Sequence, residues 1–100
     1  DRQVLAEDGM FVVIGIIDGY SKKLKKSPDL ISRGFVYLKE SQELLYQTRT
    51  LSKKIIENNL EKGKEIEIDK IKEELNENVS KLLLQNTAKR PVIIPVIIVI

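Results

Sequence analysis

Between positions 10 and 17 the chain reads Met-Phe-Val-Val-Ile-Gly-Ile-Ile, with no polar side chain anywhere in the run. A short segment so rich in Val and Ile predicts a β-strand. Both of its faces are apolar, so it must be covered twice, either wholly within the domain or by helices on one face and a partner on the other. Gly15 inside it marks a bulge, a close backbone approach or a gap in side-chain packing, of which the packing gap is favoured. Ahead of the strand, residues 1–9 are mostly polar and close on the turn sequence Glu7-Asp8-Gly9, which reads as the end of an interdomain linker. After it, Asp18-Gly19-Tyr20-Ser21 supplies turn chemistry, and the lysine-rich stretch that follows, up to Ser27-Pro28, reads as a solvated loop or hairpin arm. β-type composition returns over residues 30–38 with Ile31, Phe35, Val36 and Tyr37, broken by Ser32-Arg33-Gly34. A second strand through part of this segment pairs with the first as a hairpin.

The period then changes. Leu44, Leu51 and Ile55 recur at helical spacing, widened by Leu45, Ile56 and Leu60, and predict a helix with Ser41 as N-cap, Glu43 in the first turn and Gly63 as the stop. Ile71, Leu75, Val79, Leu82 and Leu83 predict a second helix with Asp69 as N-cap, its charges on the opposite face. Pro91 forbids continuation, and residues 92–99 predict a third strand in which Pro95, unable to donate to a ladder, sits on an edge or at a bulge. The expected fold is α+β, in the order β-β-α-α-β: a small three-stranded sheet with an αα-hairpin packed on one face, as a single domain over residues 10–100. A start at Asp1 rather than Met reads as a piece of a longer protein.

Composition narrows the chemistry. The chain has no His and no Cys, which removes the ligands of nearly all zinc sites and leaves no Ser-His or Cys-His nucleophile, disulfide or redox pair. No metal, cofactor or catalytic residue is therefore assigned. Seventeen basic residues against fifteen acidic ones give a net charge of only +2, so nucleic-acid contact needs a local patch. Paired carboxylates such as Glu73 with Glu74, or Glu65 with Glu67, sit among lysines and read as solvated helix charge patterning rather than acid-base or metal chemistry. The apolar end, residues 91–100, is about half the length needed to span a bilayer as a helix and contains Pro95, so no membrane partner is expected.

Four stretches carry a family resemblance: Val4-Leu5-Ala6-Glu7-Asp8-Gly9, then Pro28-Asp29-Leu30-Ile31-Ser32-Arg33-Gly34-Phe35-Val36-Tyr37, then Thr87-Ala88-Lys89-Arg90-Pro91, and finally Val92-Ile93-Ile94-Pro95-Val96-Ile97. Taken in this order, they make the chain resemble the C-terminal domain of bacterial ribonuclease J over essentially its whole length. The sequence departs from the family in having Ile68 and Ile71 where tryptophan-type residues often open the second helix, and no acidic residue near Val99. The resemblance implies a parent that is a cytoplasmic, zinc-dependent 5′-to-3′ exoribonuclease and endoribonuclease acting in RNA decay and maturation. Such a parent has a metallo-β-lactamase core with an inserted β-CASP domain. Its zinc belongs to the catalytic domain, and the C-terminal domain is tied to oligomer formation and supports activity. The expected partners are thus the parent's own nuclease core and further copies of the same domain.

Two residue sets follow as candidates. Arg33, Phe35, Tyr37, Val92, Ile94, Val96 and Ile98 are the candidate interface, because an apolar β-surface of low charge invites another chain. Arg33 can pair within the domain, stay solvated, clamp a partner carboxylate or hold an RNA phosphate. Lys22, Lys23, Lys25, Lys26, Lys89 and Arg90 are the candidate RNA contacts, against the plainer reading that they are solvated loops.

Overall fold

The computed structural model describes residues 8–35 and 42–100. Its elements are β1 (Met10–Asp18), β2 (Lys23–Leu24), β3 (Asp29–Arg33), α1 (Gln42–Asn58), α2 (Ile68–Thr87) and β4 (Val92–Val99), the α+β arrangement that the sequence predicts. β1 is the middle row of the sheet. β4 runs parallel along its whole length, from Met10 opposite Val92 to Ile17 opposite Val99. β2 and β3 pair antiparallel with it and share the remaining edge, Ile17 facing Leu24 and Val12 facing Ile31. The predicted three rows are present, with the second cut in two.

That cut corrects the expected loop. The return strand already begins at Lys23, and residues 25–28 then face only Gly15 and Ile16 before pairing resumes at Asp29 opposite Ile14. The two surplus residues form a bulge. It carries buried Pro28 toward α1, where the Arg49 Nε donates to the Pro28 carbonyl at 3.3 Å. The predicted continuation through residues 36–38 lies outside the described residues.

Alternation along β1 decides where the core is. Phe11, Val13 and Ile17 are fully buried and meet Ile93 of β4, Ile55 and Ile56 of α1, and Ile71, Leu75, Val79 and Leu83 of α2. The α2 residues recur every four positions, a single stripe down one side of the helix. Each such Ile or Leu contributes roughly 1.5–3 kcal/mol by leaving water. Gly15 belongs to this face. A Cβ there would stand 2.7 Å from the Ile56 Cδ1, so the favoured packing gap is corrected: the Ile56 side chain fills the space over this glycine, which also faces the bulge in the neighbouring row.

The helix ends differ from expectation for local reasons. α1 stops at Asn58, short of Gly63, because the Asn59 side-chain amide donates to the Ile55 carbonyl at 2.8 Å and reaches the Glu74 carboxylate of α2 at 3.1 Å. Gly63 serves the interhelix turn instead, at φ +85° beside the Lys64 amide bond to the Glu61 carbonyl. α2 starts at Ile68 with Glu67 in the N-cap position and no side-chain cap, which leaves Asp69 in the first turn, where a carboxylate still faces the exposed amides. The predicted cap Ser41 lies outside the described residues.

At the start of β4 the Val92 amide donates to the Gly9 carbonyl, and beyond its end the Ile100 amide donates to the Ile17 carbonyl, both at 2.9 Å. These bonds are eight residues apart, so even-numbered amides of β4 turn toward β1 and the nitrogen of Pro95 faces the outer edge. The proline therefore removes no ladder bond, and among the described residues β4 pairs with β1 alone.

Candidate interaction surface

The other face of the sheet is apolar too. Met10, Val12, Ile14 and Ile16 of β1 point away from the helices, and the parallel register sets Val92, Ile94, Val96 and Ile98 beside them. Ile31 stands next to Val12 from the other edge. Ile31, Ile94 and Ile98 are 46%, 36% and 42% exposed, and among the described residues no element packs over this face. Its apolar area is on the order of a few hundred Å², the size at which a contiguous patch marks an interaction site.

Five of the predicted interface residues, Arg33, Val92, Ile94, Val96 and Ile98, share this face. Phe35 does not: it is 3% exposed and belongs to the core, which corrects its assignment to a surface. The cause is Gly34, whose φ of +71° turns the chain inward after β3. Gly34 packs directly on Gly9, at φ +80°, and the space where a Gly9 side chain would lie holds the Arg33 carbonyl and the Gly34 backbone. Tyr37 lies outside the described residues. The β1 members of the face escape a residue-by-residue choice because β1 is apolar on both sides and shows no alternation. The signal was the unbroken run itself.

Four charges border the face within the sheet among the described residues: Asp18 and its partner Lys23 at the far end beyond Ile16, and two on β3. Arg33 flanks Met10 and Asp29 flanks Ile14, both on the same side as Ile31. Asp29 meets the Lys26 ammonium at 2.9 Å, with both side chains about half exposed, whereas Arg33 has no ion-pair partner among the described residues.

The candidate RNA residues do not form one patch. Lys22, Lys23, Lys25 and Lys26 cluster at the far end of β1, where the Lys25 amide donates to the Ile16 carbonyl. Lys89 and Arg90 lie at its start, the Arg90 amide donating to the Asp8 carboxylate at 2.9 Å. About eight strand residues, roughly 26 Å, separate the groups. Lys22 is also engaged locally, its ammonium donating to the Gly19 carbonyl at 2.6 Å. In the same turn the Ser21 amide donates to the Asp18 carboxylate at 2.7 Å. Hydrogen bonds from Ser21 chiefly hold the Asp18 carboxyl below its ordinary value of 3.8; desolvation opposes them, and the charges of Lys25 and Lys22 add smaller lowering effects.

One contact here was invisible in the sequence. The Lys62 ammonium sits 5.8 Å from the ring centroid of Tyr20, beside an open groove of about 450 Å³ lined by Ser21, Lys22, Lys23, Leu24, Glu57, Leu60 and Lys62. No spacing rule connects positions 20 and 62; the fold alone brings them together.

The architecture is that of a small α+β domain whose mixed sheet, among the described residues, is covered by helices on one face only. The family model described as Ribonuclease J C-terminal domain matches residues 1–100, and the chain belongs to that family. Over 97 residues it is 43% identical to a protein named Ribonuclease J 2 from Staphylococcus epidermidis, 42% to that of Staphylococcus saprophyticus and 41% to that of Staphylococcus aureus. Each match takes in 97% of this chain and 17% of the relative, so the chain spans about a sixth of their length.

Proposed function

We propose that this domain is a non-catalytic oligomerisation and positioning module of a ribonuclease J-like enzyme, joining copies so that the nuclease cores are held around RNA. The open apolar sheet face is the observation that carries this reading. Nine apolar side chains, eight from β1 and β4 and Ile31 from β3, three of them exposed and six partly buried, oppose solubility unless another surface covers them. Pairing by strand addition at β4 is disfavoured, because Pro95 withholds a donor in the middle of the free edge.

The parent enzyme cleaves RNA in the cytoplasm with zinc held by its own catalytic domain. A chain without His or Cys does not fit such a centre, so this module acts by contact. Direct RNA binding is the weaker reading: its basic residues are split between two ends of the sheet, and Lys22 and Lys26 already have partners.

Sedimentation velocity of the chain from low to high micromolar concentration tests the proposal, with Ile94→Asp as the variant and far-UV circular dichroism as the check on folding. The expected result is an associating chain and a folded, monomeric variant. A chain that remains monomeric throughout overturns the proposal. Salt-sensitive titration with single-stranded RNA, unaffected by Ile94→Asp, would move the function to the basic ends.

A further inference from the structure

We infer that two copies stack open face on open face about a two-fold axis lying along the row Ile31, Val12, Ile94, so that Arg33 of each copy meets the partner's Asp29. This rests on the reading that the face joins copies, and it adds which groups meet. The registers supply the argument. Ile31 is opposite Val12 and Val12 is opposite Ile94, which makes one straight row across all three rows of the sheet. Two positions to one side lie Arg33, Met10 and Val92; two positions to the other lie Asp29, Ile14 and Val96.

Rotation about the middle row exchanges these flanking rows. Met10 then covers the partner's Ile14, Val92 covers the partner's Val96, and each guanidinium faces a carboxylate. Ile16 and Ile98 fall at the far corner, where the twist of two stacked sheets carries them apart. A two-fold axis along the strands would instead press Arg33 onto the partner's Val92 and Asp29 onto the partner's Val96. That arrangement removes two charges from water with nothing opposite them, and desolvation opposes it. Arg33 has no ion-pair partner among the described residues, and the exposed Lys26–Asp29 pair is weak enough to rearrange.

Arg33→Asp and Asp29→Arg, each alone and then mixed in equal amounts, test the pairing by sedimentation equilibrium at low salt. Each variant alone places like charges together twice per dimer and is expected to weaken association by about tenfold or more. In a mixed dimer one contact sets the introduced carboxylate of the first variant against the introduced guanidinium of the second, and the other contact keeps the original Arg33 and Asp29. Both contacts are then opposite in charge, and association is expected to return to within about threefold of the unmodified chain. Recovery on mixing distinguishes a second copy from any other occupant of the face.

If the unmodified chain does not associate, the proposed function itself fails. If it associates and Ile94→Asp abolishes this, yet the charge variants behave like the unmodified chain or fail to recover on mixing, the face stands and this pairing is overturned. Should a reversal unfold the domain, Arg33→Gln and Asp29→Asn read the same contact: each is expected to flatten the salt dependence of association, and an unchanged dependence overturns the pairing.

Discussion

Gly9→Ala is the most informative single perturbation of the scaffold, because Gly9 joins three elements at one point. Its carbonyl accepts the first amide of β4, it leads into β1, and the backbone of Arg33 and Gly34 fills the space where a side chain would be. A Cβ would stand 2.6 Å from the Gly34 carbonyl carbon and 2.8 Å from its oxygen, and closer still to the Arg33 oxygen. An alanine in the left-handed region costs about 1 kcal/mol by itself. The neighbouring atoms are main chain, so relief means opening the end of the β1–β3 ladder at Met10 and Arg33, and a buried polar group left unpaired there costs about 1–3 kcal/mol more. The expected loss is about 2–4 kcal/mol, a large share of the roughly 5–15 kcal/mol that holds such a domain folded. Gly63→Ala is the control: its φ is +85°, yet nothing lies within 4 Å of the added carbon, so only the conformational cost of about 1 kcal/mol remains. Urea unfolding of both variants, read by circular dichroism and compared at a common slope, separates strain from collision. Losses that agree within about 0.5 kcal/mol would refute the argument that the Gly9–Gly34 contact is what demands glycine.

Two further outcomes follow from single groups. Ser52 is fully buried on α1 and its hydroxyl has no hydrogen-bond partner among the described residues, whereas neighbouring Thr48 donates to the Leu44 carbonyl at 2.8 Å. Ser52→Ala is expected to be neutral or to stabilise by about 1 kcal/mol, and Thr48→Val to cost about as much; a clear loss for Ser52→Ala in the same urea assay contradicts this. The lowered pKa of Asp18 contributes stability that is present above the unfolded-state value near 3.8 and is lost as pH falls through the folded-state value. Asp18→Asn is therefore expected to weaken the domain at neutral pH and to lose less stability on acidification than the unmodified chain. Parallel acid-unfolding curves for the two count against it.

The amino-acid sequence by itself determined the order of elements, the family and the lack of imidazole and thiol side chains. Those properties are local or compositional: unbroken Val and Ile runs, leucines at helical spacing, Pro91 as a stop, and no imidazole or thiol. The long apolar run of β1 even announced that both its faces need cover. The tertiary structure alone decided which face the helices take. A strand apolar on both sides shows no alternation, and only the choice of Phe11, Val13 and Ile17 for the core leaves Met10, Val12, Ile14 and Ile16 outside. It likewise turned Phe35 inward at Gly34, split the basic residues between two ends, and set Ile31 beside Val12 so that Arg33 and Asp29 flank the open face. Each of these depends on pairing register and backbone turns between distant segments, which a one-dimensional pattern does not encode.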